Sequence, residues 1–411
     1  MVAGFLFGQH PLTTSWMMNT TGDLAEYEFY PGPPPNTNTV NMTDSTDILE
    51  MCEDQDYVYI RTNGLASYTM GPWQMNPNVP SAIESVYRFP KNPQEETGTK
   101  TAQPTVGAFG VAVNGIKLYG TGDARSYNSG TGQNDGNGDG LWNADAWVSE
   151  GATMDASGGG HPDGNGNYHY HATPIQLYTD PSTSHSPILG WAFDGYPIYG
   201  PFGYSDSLNA GPVTRMTSSW QLRSISDRTT LPDGSPSNPA GPAINATFPL
   251  GTYWEDYEYV AGAGTLDEYN GRWCVTPEYP MGTYAYFITV DGAGEPQFPY
   301  LMGLEYYGVI PNTNEIGGPA GTVVTMGDCS PMTGSVAKES LDDQIYPNPT
   351  NGTLNISGIN GANYQIIDQL GRVVDAGIVN NFVEVSTLEN GVYFLQLEMN
   401  NITSTERFIK E

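Results

Sequence analysis

Positive charge is what this chain has least of. Fourteen Lys and Arg stand against 45 Asp and Glu in 411 residues, a formal net charge of −31. Nucleic-acid binding needs cations that neutralise phosphates, so that class is excluded. A polybasic membrane contact is excluded on the same ground. The negative field attracts cations and keeps the chain soluble. Long apolar runs are also missing. No stretch reaches the ~20 apolar residues of a membrane-spanning helix. Cysteine is scarce: Cys52, Cys274 and Cys329 lie far apart, without the paired spacing of a zinc finger. They allow one disulfide and one leftover thiol, and the sequence does not choose the pair. A G-x-S-x-G elbow and a phosphate-binding P-loop are both absent, and no cysteine has a histidine beside it in sequence.

What is present is turn and strand material. Gly (50), Pro (32), Tyr (27) and Trp (8) favour short strands, turns and aromatic packing over long helices. Val106–Gly120, "VGAFGVAVNGIKLYG", predicts a hairpin turning at Asn114–Gly115. Further strands are expected in Tyr57–Gly64, Ile188–Tyr204, Tyr284–Val290 and Tyr300–Ile310. The expected fold is mainly β, a large irregular antiparallel domain over residues 1–310 and a small Ig-like β-sandwich over 341–411. Residues 311–340, rich in Gly, Thr and Ser, read as the linker. Residues 1–9 are apolar and short, and fit either the remnant of a signal peptide or a first strand. No long-period internal repeat stands out.

Histidine is rare but clustered. Four of the five lie within 25 residues: His161, His169, His171 and His185. Neutral imidazole is a common ligand for transition metals. His169 and His171 are two apart, so on a strand both side chains leave the same face while Tyr168 and Tyr170 leave the other. His185 would complete a three-histidine set across a hairpin. His161 would be a fourth ligand or a supporting group. Asp155, Asp163 and Asp194 are candidates to orient a histidine or act as a base, and Asp194 is the candidate catalytic residue. A nitrogen-rich set suits Zn or Cu. The competing reading is a structural Tyr/His hydrogen-bond network.

Asp135, Asn137, Asp139 and Gly140 match the opening of a calcium loop. Its twelfth position falls on Ala146, with Asp145 one place early, so the closing acid is missing and calcium ranks below plain turn chemistry.

Two stretches carry family resemblances. "GVAVNGIKLYG", "GHPDGNGNYHYHATP", "HSPILGWAFDGYPIYG", "PLGTYWEDYEYV" and "LDEYNGRWCVTPEYPMGTYAYF" resemble the YHYH domain family over about residues 10–310. That resemblance points to the same four histidines and Asp194 and brings no settled activity. "YPNPTNG" (Tyr346–Gly352), "IIDQLGRVV", "LENGVYFLQL" and the final "ERFIKE" resemble the C-terminal sorting domain of the type IX secretion system. This implies secretion or display at the outer-membrane surface, with the translocon and a sorting-domain-processing protease as partners. The expected function is a secreted metal-binding protein, with enzymatic activity left open. The alternative is a non-catalytic module that binds an extracellular glycan or protein.

Overall fold

The computed structural model describes residues 10–155, 159–178, 183–311, 330–331, 345–356, 363–368, 372–379, 382–399 and 402–411. The chain divides into two compact units, Met1–Met332 and Thr333–Glu411. Both are built from β-strands, with helices of only a few residues.

The first unit is organised on an eight-stranded mixed sheet. From one edge to the other its strands are Gly160–Pro162, Tyr168–Tyr170, Lys117–Tyr119, Ala108–Ala112, Ile188–Ala192, Pro197–Tyr199, Thr283–Phe287 and Gly271–Cys274. The strands are short, five of the eight contain a Gly or Pro, and the four at the centre are largely buried.

This sheet contains an internal repeat that the sequence did not suggest. "GVAVNGIKLYG" (Gly110–Gly120) and "GWAFDGYPIYG" (Gly190–Gly200) are two copies of one hairpin. In each, a glycine with positive φ, Gly115 at 82° or Gly195 at 88°, closes a three-residue loop. The two hairpins lie antiparallel at the sheet centre, with Val111 opposite Trp191. Their second strands each take a parallel partner: Leu118 pairs with Tyr170, and Ile198 pairs with Tyr286. Each partner then pairs antiparallel with an edge strand, Gly160 opposite Tyr170 and Gly271 opposite Tyr286. Tyr168-His169-Tyr170-His171 therefore corresponds to Tyr284-Ala285-Tyr286-Phe287.

The buried tyrosines follow the same symmetry, since a phenol hydroxyl removed from water needs a partner. Asn114 Nδ2 donates to Tyr170 Oη at 3.0 Å, and Tyr286 Oη donates to Asp194 Oδ2 at 2.6 Å. Tyr168 Oη donates to Asp155 Oδ2 at 2.6 Å, and Tyr284 Oη donates to Asp267 Oδ1 at 2.9 Å.

Each repeat is interrupted between its hairpin and its edge strand. The first insertion holds a small sheet of Gly122–Asn128, Gln133–Asp135 and Asn143–Asp145, then the helix Ala146–Glu150. Asp145 caps that helix, accepting from Val148 N at 3.0 Å.

One sequence expectation is corrected. Tyr300–Ile310 is not a strand and contributes only isolated bridges, Glu305 to Ala102 and Gly308 to Glu95, because its backbone instead serves the core, as where Gly308 N donates to Asp194. Within the segment read as a linker, Ser330–Pro331 pairs with Cys52 and Glu53 of the strand Ile48–Glu53. Cys52 is disulfide-bonded, Cys274 is a buried free thiol, and Cys329 lies outside the described residues, as do residues 1–9.

The second unit packs a three-stranded sheet (Ile345–Tyr346, Thr353–Ile356, Phe382–Glu384) and a four-stranded sheet (Asn363–Asp368, Val373–Ile378, Gly391–Met399, Ile402–Lys410) around one core. Leu354, Ile356 and Val383 from the first meet Ile366, Leu395 and Phe408 from the second.

Candidate metal centre

The histidines converge, though not in the expected trio. His161, His169 and His171 each bring a ring nitrogen within 4.8 Å of the others. All three are buried, at 6%, 3% and 3% exposure. The turn Asp163–Asn167 brings His161 directly opposite His169. Asp163 holds that turn by accepting from Asn165 N and Asn167 N at 2.8 and 2.9 Å. His171 follows His169 on the same side, as the two-residue period requires, while the tyrosine hydroxyls bond on the other. Tyr119 stacks on His169 at 4.0 Å between ring centroids and meets His171 edge-on.

Counting donors fixes the tautomers of His169 and His171. His169 Nδ1 lies 3.0 Å from Asn167 O, and His171 Nδ1 lies 2.7 Å from Gly120 O. A carbonyl oxygen only accepts, so both Nδ1 atoms carry the proton. Thr153 Oγ1, which also lies 2.8 Å from Glu150 O, hydrogen-bonds His161 Nδ1 at 2.8 Å. His169 and His171 thus turn a lone pair at Nε2 towards each other, and His161 turns its Nε2 towards Glu150. His169 Nε2 and His171 Nε2 are 3.1 Å apart. Burial pushes His169 well below the ordinary imidazole range and His171 down to about 4.

A fourth acceptor joins them. Glu150 Oε2 lies 3.4 Å from His161 Nε2 and 3.5 Å from His171 Nε2. Burial works to raise its carboxyl, but the His161 and His171 imidazoles outweigh it and hold the group below its ordinary value. Glu150 escaped the sequence reading because it comes from the inserted helix, and no motif links it to the histidines.

His185 belongs elsewhere. Its ring packs against Tyr199, Tyr204 and Phe287, at 4.9, 4.9 and 6.0 Å. Phe287 is the counterpart of His171, so His185 sits in the second repeat, where Arg272 and Ala285 occupy the positions of His161 and His169. Asp194 is also in the second repeat. It is fully buried and accepts from Tyr286 Oη, Gly308 N and Tyr196 N at 2.6, 2.9 and 3.2 Å. Asp155 accepts from Tyr168 Oη and Gly71 N.

The calcium-like loop is held by its own side chains. Asp135 accepts from Asn128 Nδ2 and Thr131 Oγ1, and Asp139 Oδ2 accepts from Ser129 N. Among the described residues, only the three histidines form a cluster of metal-capable groups.

Fold and site define a mainly β protein with a buried histidine cluster on one half of a duplicated sheet. The chain belongs to the YHYH protein family, whose model matches residues 86–298 and so includes both repeats, the three histidines and Glu150. Residues 344–411 match a secretion system C-terminal sorting domain. The protein is therefore exported by the type IX system and is secreted or held at the cell surface. Among the described residues, no helix is long and apolar enough to cross a membrane. Comparison with curated proteins finds no match.

Proposed function

We propose that the first unit binds one Zn or Cu ion outside the cell, on Nε2 of His161, His169 and His171, with Glu150 as fourth donor. The carrying observation is that three buried imidazoles bring ring nitrogens within 4.8 Å of one another, that His169 Nε2 and His171 Nε2 face each other at 3.1 Å with both Nδ1 protons given to carbonyls, and that the Glu150 carboxylate lies 3.4 and 3.5 Å from His161 and His171. Four donors at metal distances of ~2.1 Å in a tetrahedron stand about 3.4 Å apart. A structural Tyr/His network would instead pair donors with acceptors.

The second residues support the same reading. Asn167 O and Gly120 O fix the tautomers of His169 and His171, and Thr153 Oγ1 holds the His161 ring, the role outer partners serve at metal sites. Glu150 is the most exposed of the four, at 22%. It is the donor that water or a substrate would displace, and its carboxylate would then stand ready as a base. The bound ion would act as a Lewis acid there. On the export side, we infer that the sorting unit is recognised by the translocon and removed by its processing protease.

Elemental analysis of protein purified without an affinity tag tests the metal assignment. The expected result is about one Zn or Cu per chain, lost in His169→Ala. A metal-free preparation that takes up neither ion on addition overturns it.

A further inference from the structure

Gln103 is a buried side chain, 4% exposed, that commits both polar ends to one residue. Its Nε2 donates to Thr121 Oγ1 at 2.7 Å, and its Oε1 accepts from Thr121 N at 3.3 Å. A backbone N–H only donates, so this partner decides which end of the amide is oxygen. Gln103 is itself tethered, its own N–H donating to Leu304 O at 2.8 Å. The amide also packs flush on Gly120, where a Cβ would collide with Gln103 Oε1.

The Gly120–Thr121 junction joins two parts of the histidine centre. Gly120 O accepts from His171 Nδ1 at 2.7 Å. Thr121 O accepts from Ala146 N at 2.7 Å, and Ala146 opens the helix that ends in Glu150. Two consecutive carbonyls thus aim one imidazole and anchor the segment that presents the carboxylate. Any rotation of this peptide moves both groups, and binding constellations tolerate only ~0.5 Å of misplacement.

The second repeat supplies the contrast. There Phe287 stands at the position of His171, Gly200 at that of Gly120 and Pro201 at that of Thr121. Proline has neither N–H nor hydroxyl, so no amide could grip it in this way. The side chain packed on Gly200 is Ser186, which accepts from Phe202 N at 3.0 Å. Clamp and histidines are present together in one repeat and replaced together in the other.

Resting on the metal reading above, we propose that Gln103 is a positioning residue of the histidine centre. Through Thr121 it holds the junction whose carbonyls orient His171 and anchor the Glu150 helix.

Three variants of the full chain test this. Gln103→Met keeps the length of the side chain and removes both hydrogen bonds. Thr121→Val keeps the shape of its residue and removes only the hydroxyl, and Thr121→Ser keeps the hydroxyl. Affinity for Zn and for Cu(II) is measured by competition with a chelator. For the ion that the parent binds, it is expected to fall ~10–100-fold in Gln103→Met, to fall about tenfold in Thr121→Val, and to return to the parent value in Thr121→Ser. A second readout needs no metal: solvent exchange of the His171 Nδ1 proton, followed by NMR in the metal-free chain. It should quicken in Gln103→Met and Thr121→Val and stay slow in Thr121→Ser. Asp194→Ala, a destabilising change in the second repeat, controls for a general loss of stability. The proposal is overturned if Gln103→Met and Thr121→Val bind metal as the parent does, or if Asp194→Ala weakens binding as much as Gln103→Met. A parent that binds neither ion fails the metal reading instead, and unchanged His171 exchange in both variants would then overturn the positioning role separately.

Discussion

At the residue scale, His161 and His185 exchange the roles that sequence spacing suggested. His185 follows His171 closely in the chain, but the chain between them leaves the first repeat for the second. His161 precedes the pair and is returned to it by the Asp163–Asn167 turn. The two sites give opposite expectations. His161→Ala is expected to abolish stoichiometric metal, and His185→Ala to leave it intact. Glu150→Gln removes the only charged donor and should weaken affinity by ~10–100-fold. Metal content after dialysis against a weak chelator separates the three, and metal loss in His185→Ala would count against this ligand set. Asp194 is expected to matter for a different reason. Asp194→Ala strands the Tyr286 hydroxyl and two backbone N–H groups. The cost should be about 2–4 kcal/mol in denaturant unfolding, with metal stoichiometry unchanged. Unchanged stability with lost metal would return Asp194 to the site.

At the element scale, the duplicated hairpin decides where everything else stands. Its two copies cross so closely that a Cβ on Gly110 would lie 2.5 Å from Trp191 O. Gly110→Ala should therefore cost roughly 1–3 kcal/mol, read from the denaturant midpoint, and a neutral result would mean that the crossing is looser than described. Much of this level was legible in the sequence. The Asn114–Gly115 turn, the strands of the sorting unit and the shared face of His169 and His171 all follow from turn chemistry and a period of two. The repeat was hidden because unequal insertions separate its strands, and because His161, His169 and His171 align with Arg272, Ala285 and Phe287. Chemical dissimilarity at the equivalent positions masks structural identity. Glu150 was hidden for a related reason: a helix of five residues inside an insertion has no periodicity to reveal which side chain it presents. Ser330–Pro331 pairs within a segment of linker-like composition, because strand pairing through backbone groups asks little of composition.

At the scale of the whole molecule, the excess of acid residues reaches inside as well as outside. Burial raises the Asp145 carboxyl from 3.8 to about 7, and burial likewise raises Glu255 to about 7 and Asp194 to about 6. For a group raised on folding, the folded chain keeps a proton that the unfolded chain has released. Its stabilising contribution is full below pH ~4 and is lost as pH rises through the folded value. The depressed imidazoles of His169 and His171 act in the opposite sense, since their contribution is lost as pH falls. Comparing one variant with its parent at each pH cancels these shared terms. Asp145→Asn keeps an amide oxygen for Val148 N and Tyr300 Oη, which now lie 3.0 and 2.8 Å from the carboxylate. It removes the charge that burial disfavours. The melting temperature of Asp145→Asn should therefore match or trail its parent at pH 4 and overtake it by pH 8, with the gap opening between about pH 4 and 7 and level above that. One pKa unit is worth ~1.4 kcal/mol, so even part of the Asp145 shift should move the midpoint by several degrees. A gap that stays constant from pH 5 to pH 8 would show that Asp145 titrates in the folded protein as it does in water.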